Sequence, residues 1–376
     1  MIRPLALVLL MALPAAAEDV AQEAQQAAED LRAAVTAMEE AGSAKDRVAA
    51  LTRTIRAYEE GLDALREGLR QATIRESALA LQFEAKREQV AQLVGVLSSM
   101  ETDPGPLLLL HPTGALGTAR SGMMLAEITP ALQAEAEQLK SELEEVKQLR
   151  TLQLEAGATL TAGLKAVQDA RSTLSQAISD RTDLPRRITE DPEALQKLLA
   201  SAETLDAFAA GLTLDADAAP GQQDFEAAKG KLPLPVLGAV LRRPDEADAA
   251  GIRRPGILLA TRPRALVTAP WAATIRYLGP LLDYGNVMIL EPGGGYLLIL
   301  AGLDTVYGAV GEIVAAGEPL GLMGGADTGA AEFLVSVQQG GGAEGTETLY
   351  LELRQGAEPV DPTAWFAGMQ EQDETK

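Results

Sequence analysis

Cysteine is absent from this 376-residue chain, which excludes disulfides, thiolate metal sites and cysteine nucleophiles. Stability must then come from helix packing and an apolar core. There is one histidine, His111, so no Ser/His pair can form away from it. Cations are scarce relative to anions, 32 Lys and Arg against 54 Asp and Glu, giving a formal charge of −22. That balance argues against nucleic acid and anionic lipid as partners, since neither attracts a polyanion. It says nothing of the fold. Beyond the N-terminus no stretch is long and apolar enough to cross a bilayer, and the chain is expected not to span a membrane.

What is present begins with Arg3, an apolar run over residues 5–13, and Pro14-Ala15-Ala16-Ala17 before Glu18-Asp19. A charged start, a short apolar core and an A-x-A site read as a secretory signal peptide over residues 1–17. The run is well short of the ~20 residues of a membrane anchor.

A long seam follows. Leu51, Ile55, Tyr58, Leu62, Leu65, Leu69, Ala72, Glu76, Leu79, Phe83, Lys86, Val90, Leu93, Leu97 and Met100 recur at alternating spacings of four and three. That 3.5-residue repeat keeps one stripe against a partner helix over many turns. Asp103-Pro104-Gly105-Pro106 stops this helix. A noisier seam runs from Leu132 through Leu139, Val146, Arg150, Leu160, Leu164, Val167, Arg171 and Leu174 to Ile178. The two arms, within residues 18–183, predict an antiparallel coiled-coil hairpin, with an intermolecular parallel coil as the competing arrangement. The inter-arm segment near residues 103–128 holds more apolar residues than a solvated turn needs, among them Leu107, Leu109, Met123, Met124 and Leu125. They either cap the hairpin's own core or form an exposed docking surface.

Residues 184–231 are expected to hold one more helix and a linker. Asp191-Pro192-Glu193 starts the helix, with Leu195, Leu198, Leu199, Leu205 and Phe208 on one side, and an Asp-, Ala- and Gly-rich stretch follows. From Leu232 short apolar strands alternate with Gly-rich turns, around residues 256–260, 265–269, 274–277, 286–290, 296–300, 319–322 and 349–353. This predicts a compact, mainly antiparallel β domain over residues 232–376. The fold class is therefore α plus β in separate domains.

Several segments of this domain resemble the lysostaphin-type (LytM-like) zinc peptidases: Leu232-Pro233-Leu234-Pro235-Val236 with Gly238, then Tyr284-Gly285-Asn286-Val287-Met288-Ile289, Gly295-Tyr296, residues 314–321, and residues 349–354 followed by Pro359-Val360-Asp361-Pro362 and Trp365. The resemblance implies zinc ligands at an H-x-x-x-D and an H-x-H motif, with a further histidine after the Gly-Tyr strand. Those places hold Arg254, Leu258, Thr348, Tyr350 and Gly302. None supplies the nitrogen, sulfur or carboxylate that zinc requires, so no metal, no cofactor and no hydrolysis are expected. Carboxylates such as Asp283, Glu291 and Glu352 remain, but isolated carboxylates on a β domain are usually solvated.

Signal peptide, hairpin and degenerate LytM-like domain together resemble the EnvC-type murein hydrolase activators. The segment with Arg120, Leu125 and Pro130 is similar to that family's inter-arm element. The resemblance implies a periplasmic, non-catalytic role in cell division and daughter-cell separation. It implies two partners: FtsX of the FtsEX divisome complex, docked by the coiled coil, and an N-acetylmuramoyl-L-alanine amidase, bound by the groove. Peptidoglycan is a further candidate ligand. A helix near the domain junction, residues 194–212 here, would cover the groove until FtsEX acts. Along residues 349–354 alternate side chains share a face, which puts Leu349, Leu351 and Leu353 in the core; because Tyr350 stands at a ligand-histidine place of the family, the resemblance implies that Tyr350, Glu352 and Arg354 line the groove. The bland alternative for the latter is a surface salt bridge around Glu352. For the whole chain, the alternatives are a structural coiled-coil scaffold that binds peptidoglycan without an amidase partner, and an efflux adaptor. The adaptor architecture places its hairpin between β segments, whereas here all β structure follows the helices.

Overall fold

The computed structural model describes residues 43–88, 91, 114–181, 192–212, 225–327, 329–338, 347–367 and 369. The signal peptide, the Asp103-Pro104-Gly105-Pro106 stop, Leu107, Leu109 and His111 lie outside them. Two long helices come first, α1 (Ala44–Ala85) and α2 (Gly114–Ser179). Ser43 and Asp46 cap α1 reciprocally: Asp46 N–H donates to Ser43 Oγ at 3.1 Å, and Ser43 N–H to Asp46 Oδ2 at 3.3 Å. This is the capping-box arrangement with Asp in the usual Glu place.

The described residues fall into two compact units. One comprises the chain up to Arg66, Leu160–Gly329 and Ala343–Lys376; the other comprises Glu67–Thr159 and Ala330–Gly342. Within each, α1 and α2 run antiparallel. In the second unit Arg75 pairs with Glu145 at 2.7 Å and Arg150 with Glu76 at 2.8 Å. Both pairs are exposed enough to contribute little stability. In the first unit Leu51, Ile55, Leu62, Leu160, Leu164, Val167 and Leu174 are buried, as the 3.5-residue repeat requires. α2 starts at Gly114, so the helix takes in Met123, Met124, Leu125 and Pro130, much of what reads in sequence as an inter-arm segment. Met123 is exposed. Among the described residues no helix is long and apolar enough to cross a membrane.

Two shorter helices, α3 (Pro192–Ser201) and α4 (Leu205–Gly211), occupy the predicted single helix. The break falls where Thr204 caps α4, its Oγ1 accepting from Ala207 N–H at 3.1 Å. Gly211 lets the helices close on each other, because a Cβ there would stand 2.4 Å from Leu198 Cδ1.

The β domain is one antiparallel sheet. Its strands are β1 (Gly238–Arg242), β2 (Ile257–Thr261), β3 (Leu266–Thr268), β4 (Ala273–Pro280), β5 (Asn286–Gly293), β6 (Tyr296–Val306), β7 (Ile313–Val314), β8 (Pro319–Met323), β9 (Glu347–Gln355) and β10 (Glu358–Val360). The main path runs β1-β2-β9-β6-β5-β4-β7, with β10 on β9 and β8 joining β3 to β6. Leu349, Leu351 and Leu353 face the principal core with Ile257, Leu259, Leu298, Leu300, Met288 and Leu290. Phe225 closes that core by stacking on Trp365, ring centroids 4.6 Å apart. Leu232 bridges Phe366, tying the domain's entry to its tail.

Candidate functional site

The opposite face of the sheet is covered by α3 and α4. Leu205, Phe208, Ala209 and Leu212 form one buried cluster with Tyr277, Leu281, Val287, Ile289, Leu297, Ile299, Ala301 and Tyr350, and Leu198 packs against it. Phe208 meets Tyr277 edge to face at 4.7 Å, a favoured aromatic geometry. These helices leave a cleft of about 440 Å³ beside them. Arg254, Leu258, Gly302, Thr348 and Tyr350 all line it, together with Asp283, Tyr284 and, from the helical cover, Glu203 and Thr204. Arg254 and Tyr350, 96 residues apart in sequence, meet here because β2 and β6 flank β9, with Leu258 opposite Tyr350 and Ala301 opposite Tyr350 on the other side.

Tyr350 is held tightly. Its hydroxyl donates to Glu352 Oε2 at 2.6 Å and accepts from Gly256 N–H at 3.2 Å. Burial, and then the neighbouring Glu352 charge, push its pKa well above the ordinary tyrosine value, so it stays a neutral phenol. Its ring fills the space beside Gly256, where a Cβ would lie 2.6 Å from it. Arg354 donates in turn to Glu352 Oε1 at 2.7 Å. Tyr350 therefore lines the cleft, while Glu352 and Arg354, on the same strand face, are buried and do not line it, 3% and 1% exposed. Arg254 lies over the Tyr284 ring, 5.8 Å from its centroid, a cation–π contact at the cleft edge.

The LytM-like fold implies zinc, and these residues do not fit it. Arg254 is a permanent cation, Leu258 has no donor, and Tyr350 is a neutral hydrogen-bonded phenol. At Gly302 the obstacle is the backbone itself: φ is +100° and a Cβ would stand 2.5 Å from the Thr348 carbonyl oxygen. Among the described residues no group of three or more His, Asp or Glu side chains could hold a metal. Titration of the purified chain with Zn²⁺ is expected to show no stoichiometric site by calorimetry. One tightly bound ion per chain would overturn this.

Residues 253–362 match the model of peptidase family M23. The β domain is an M23, LytM-like domain. Two curated proteins match part of the chain. An uncharacterized protein of Neisseria meningitidis serogroup B is 28% identical over 142 residues, 38% of this chain and 21% of that one. The murein hydrolase activator EnvC of Escherichia coli K12 is 26% identical over 140 residues, 37% of this chain and 30% of that one. The chain thus spans under a third of the length of these relatives. Among solved structures, a putative peptidase M23 from Pseudomonas aeruginosa aligns over 48% of this chain and 64% of its own, at 17% identity and a TM-score of 0.31.

Proposed function

We propose that this protein is a non-catalytic periplasmic activator of peptidoglycan amidases in cell division, its coiled coil docking FtsX of an FtsEX complex and its M23 cleft docking the amidase. The observation that carries the reading is the cover: α3 and α4 sit on the face that holds the degenerate cleft and supply part of its lining. A vacated catalytic groove under an internal helical cover suits a binding site that is opened on demand. The murein hydrolase activator among the relatives supports the same class of role. The candidates for FtsX docking are Leu107, Leu109, Met123, Met124 and Leu125, and those for the amidase are Tyr350 in the cleft, with Glu352 and Arg354 next to it on the same strand face. Exposed Leu282, at the cleft rim with φ +49°, is a further apolar contact for the partner. Strained residues of this kind concentrate at functional sites.

The decisive experiment mixes the purified chain with the host's periplasmic amidase and follows dye release from labelled peptidoglycan. The chain alone should release none, and a variant with the cover unseated should raise the amidase rate. Dye release by the chain alone, or an amidase indifferent to both forms, ends the proposal.

A further inference from the structure

The β domain has two attachments to the helices that precede it, and they differ in kind. The cover is joined to the sheet by apolar burial. Among the described residues, neither apolar cluster of the β domain contains a residue of α1 or α2. The base of the hairpin is joined by ions and hydrogen bonds, beside a small apolar patch where Leu62, Leu164 and Val167 face Leu237 and Ala265. Glu59 Oε1 on α1 accepts from Leu266 N–H at 3.0 Å and from Arg171 of α2 at 2.8 Å. Arg171 also donates to Asp327 at 3.0 Å. Asp63 receives Arg66 at 3.0 Å and Arg262 at 3.1 Å, and Arg56 donates to the Leu234 carbonyl at 3.3 Å. At the end of α2, Ser175 meets the Tyr307 hydroxyl at 2.8 Å and Arg181 pairs with Glu318 at 2.6 Å.

This network is buried but not saturated. Glu59 and Arg171 are 8% and 5% exposed, yet Glu59 Oε2 and Arg171 Nε have no hydrogen-bond partner. Glu59, Asp63, Arg66, Arg171, Arg262 and Asp327, with apolar neighbours, line a cavity of about 20 Å³, room for about one water. Burial raises the Glu59 pKa although Arg171 opposes the shift. Buried ion pairs roughly break even against apolar packing, because the attraction is offset by lost hydration. When such a seam opens, the charges recover their water. An apolar seam of equal size would instead expose surface at about 25 cal/mol per Å². When the seam is closed, fixed donor–acceptor geometry selects one orientation.

We infer that the hairpin base is seated on the β domain by a releasable ionic joint, centred on Glu59, Arg171 and Asp327, which opens without unfolding either part. The inference rests on the proposed function for its purpose: a signal received by the coiled coil needs a joint that moves. Arg181, the last latch residue, precedes the start of α3 by eleven positions, so the joint and the cover lie on one short stretch of chain.

The lack of native cysteine permits a direct test in the full chain. Thr173→Cys and Glu358→Cys, both at exposed positions, take spin labels, and pulsed EPR reads the distance between them. The unaltered joint should give one narrow distribution. Arg171→Glu, which sets a carboxylate against Glu59 and Asp327, should raise the open population on the order of a hundredfold and add a second, longer distance, with near-ultraviolet dichroism of Trp271 and Trp365 unchanged. Should that variant fail to fold, Arg171→Gln gives the same readout with a smaller open population. The apolar triple Glu59→Leu, Arg171→Met, Asp327→Leu should stay closed. A wild-type distribution in Arg171→Glu or, if that variant is not foldable, in Arg171→Gln overturns the joint, whatever the amidase does. An open joint without increased amidase activation leaves the joint standing and counts against the proposed function.

Discussion

Replacing Phe208 with alanine is expected to unseat the helical cover while leaving the sheet intact. Phe208 is fully buried between α4 and the second face of the sheet, against Tyr277. Truncating a buried phenylalanine costs about 3–5 kcal/mol. The cover has few other anchors, chiefly Leu205, Leu212 and Leu198, so the loss should fall on docking and not on the domain. A loss of about 3 kcal/mol is a shift of over a hundredfold in the docked equilibrium. Hydrogen exchange checks it: amides of α3 and α4 should lose protection by about that factor, while those of β6 and β9 keep theirs. Amidase activation should rise in parallel. Unchanged protection over α3 and α4 would show that Phe208 is not what holds them. Equal loss across the whole domain would show that cover and sheet unfold as one.

The second large effect is expected at Arg276. Its guanidinium pairs with Glu291 at 2.8 Å, and the two side chains are 1% and 0% exposed. Arg276→Ala leaves a buried carboxylate whose Oε1 already lacks a partner. Removing one member of such a pair typically costs about 3–5 kcal/mol, which for a unit of this size lowers Tm by roughly 10 °C. The double replacement Arg276→Met, Glu291→Leu removes both charges and should melt near the wild-type temperature. If Arg276→Ala alone melts within about 2 °C of wild type, the pair is not contributing as its burial implies.

These two sites also mark where sequence reading stops. The heptad seam of α1 and the seven short strands are legible because each follows a fixed period, 3.5 or 2, that one face must obey. The start of α2 is not: Gly114, Gly117, Gly122 and Pro130 read as turn chemistry, yet all lie in the helix. Ala330–Gln338 forms a further short helix, α5, hidden by the glycines that flank it. Arg254, Leu258, Gly302, Thr348 and Tyr350 are legible only through the family resemblance, and all five line one cleft where β2, β6 and β9 meet. That Glu352 and Arg354 are buried could not be foreseen, since it depends on what covers the sheet and not on the strand itself. Glu59 is similar. It lies off the α1 seam and looks like one more solvated carboxylate, until Arg171, 112 residues later, and the Leu266 amide arrive beside it.

The Gly302 backbone bears on which substitutions this cleft can accept. Point mutation can swap Arg254, Leu258 or Thr348 for a histidine or an aspartate, because those side chains already border open space. Position 302 admits no side chain while β6 lies this close to the Thr348 carbonyl. Tyr350, wedged beside Gly256, keeps β9 filled from the other side. A side chain at position 302 would require the neighbouring strands β6 and β9 to be re-spaced together. The borders of the cleft are therefore open to single substitutions, while its floor at position 302 can change only when the backbone does.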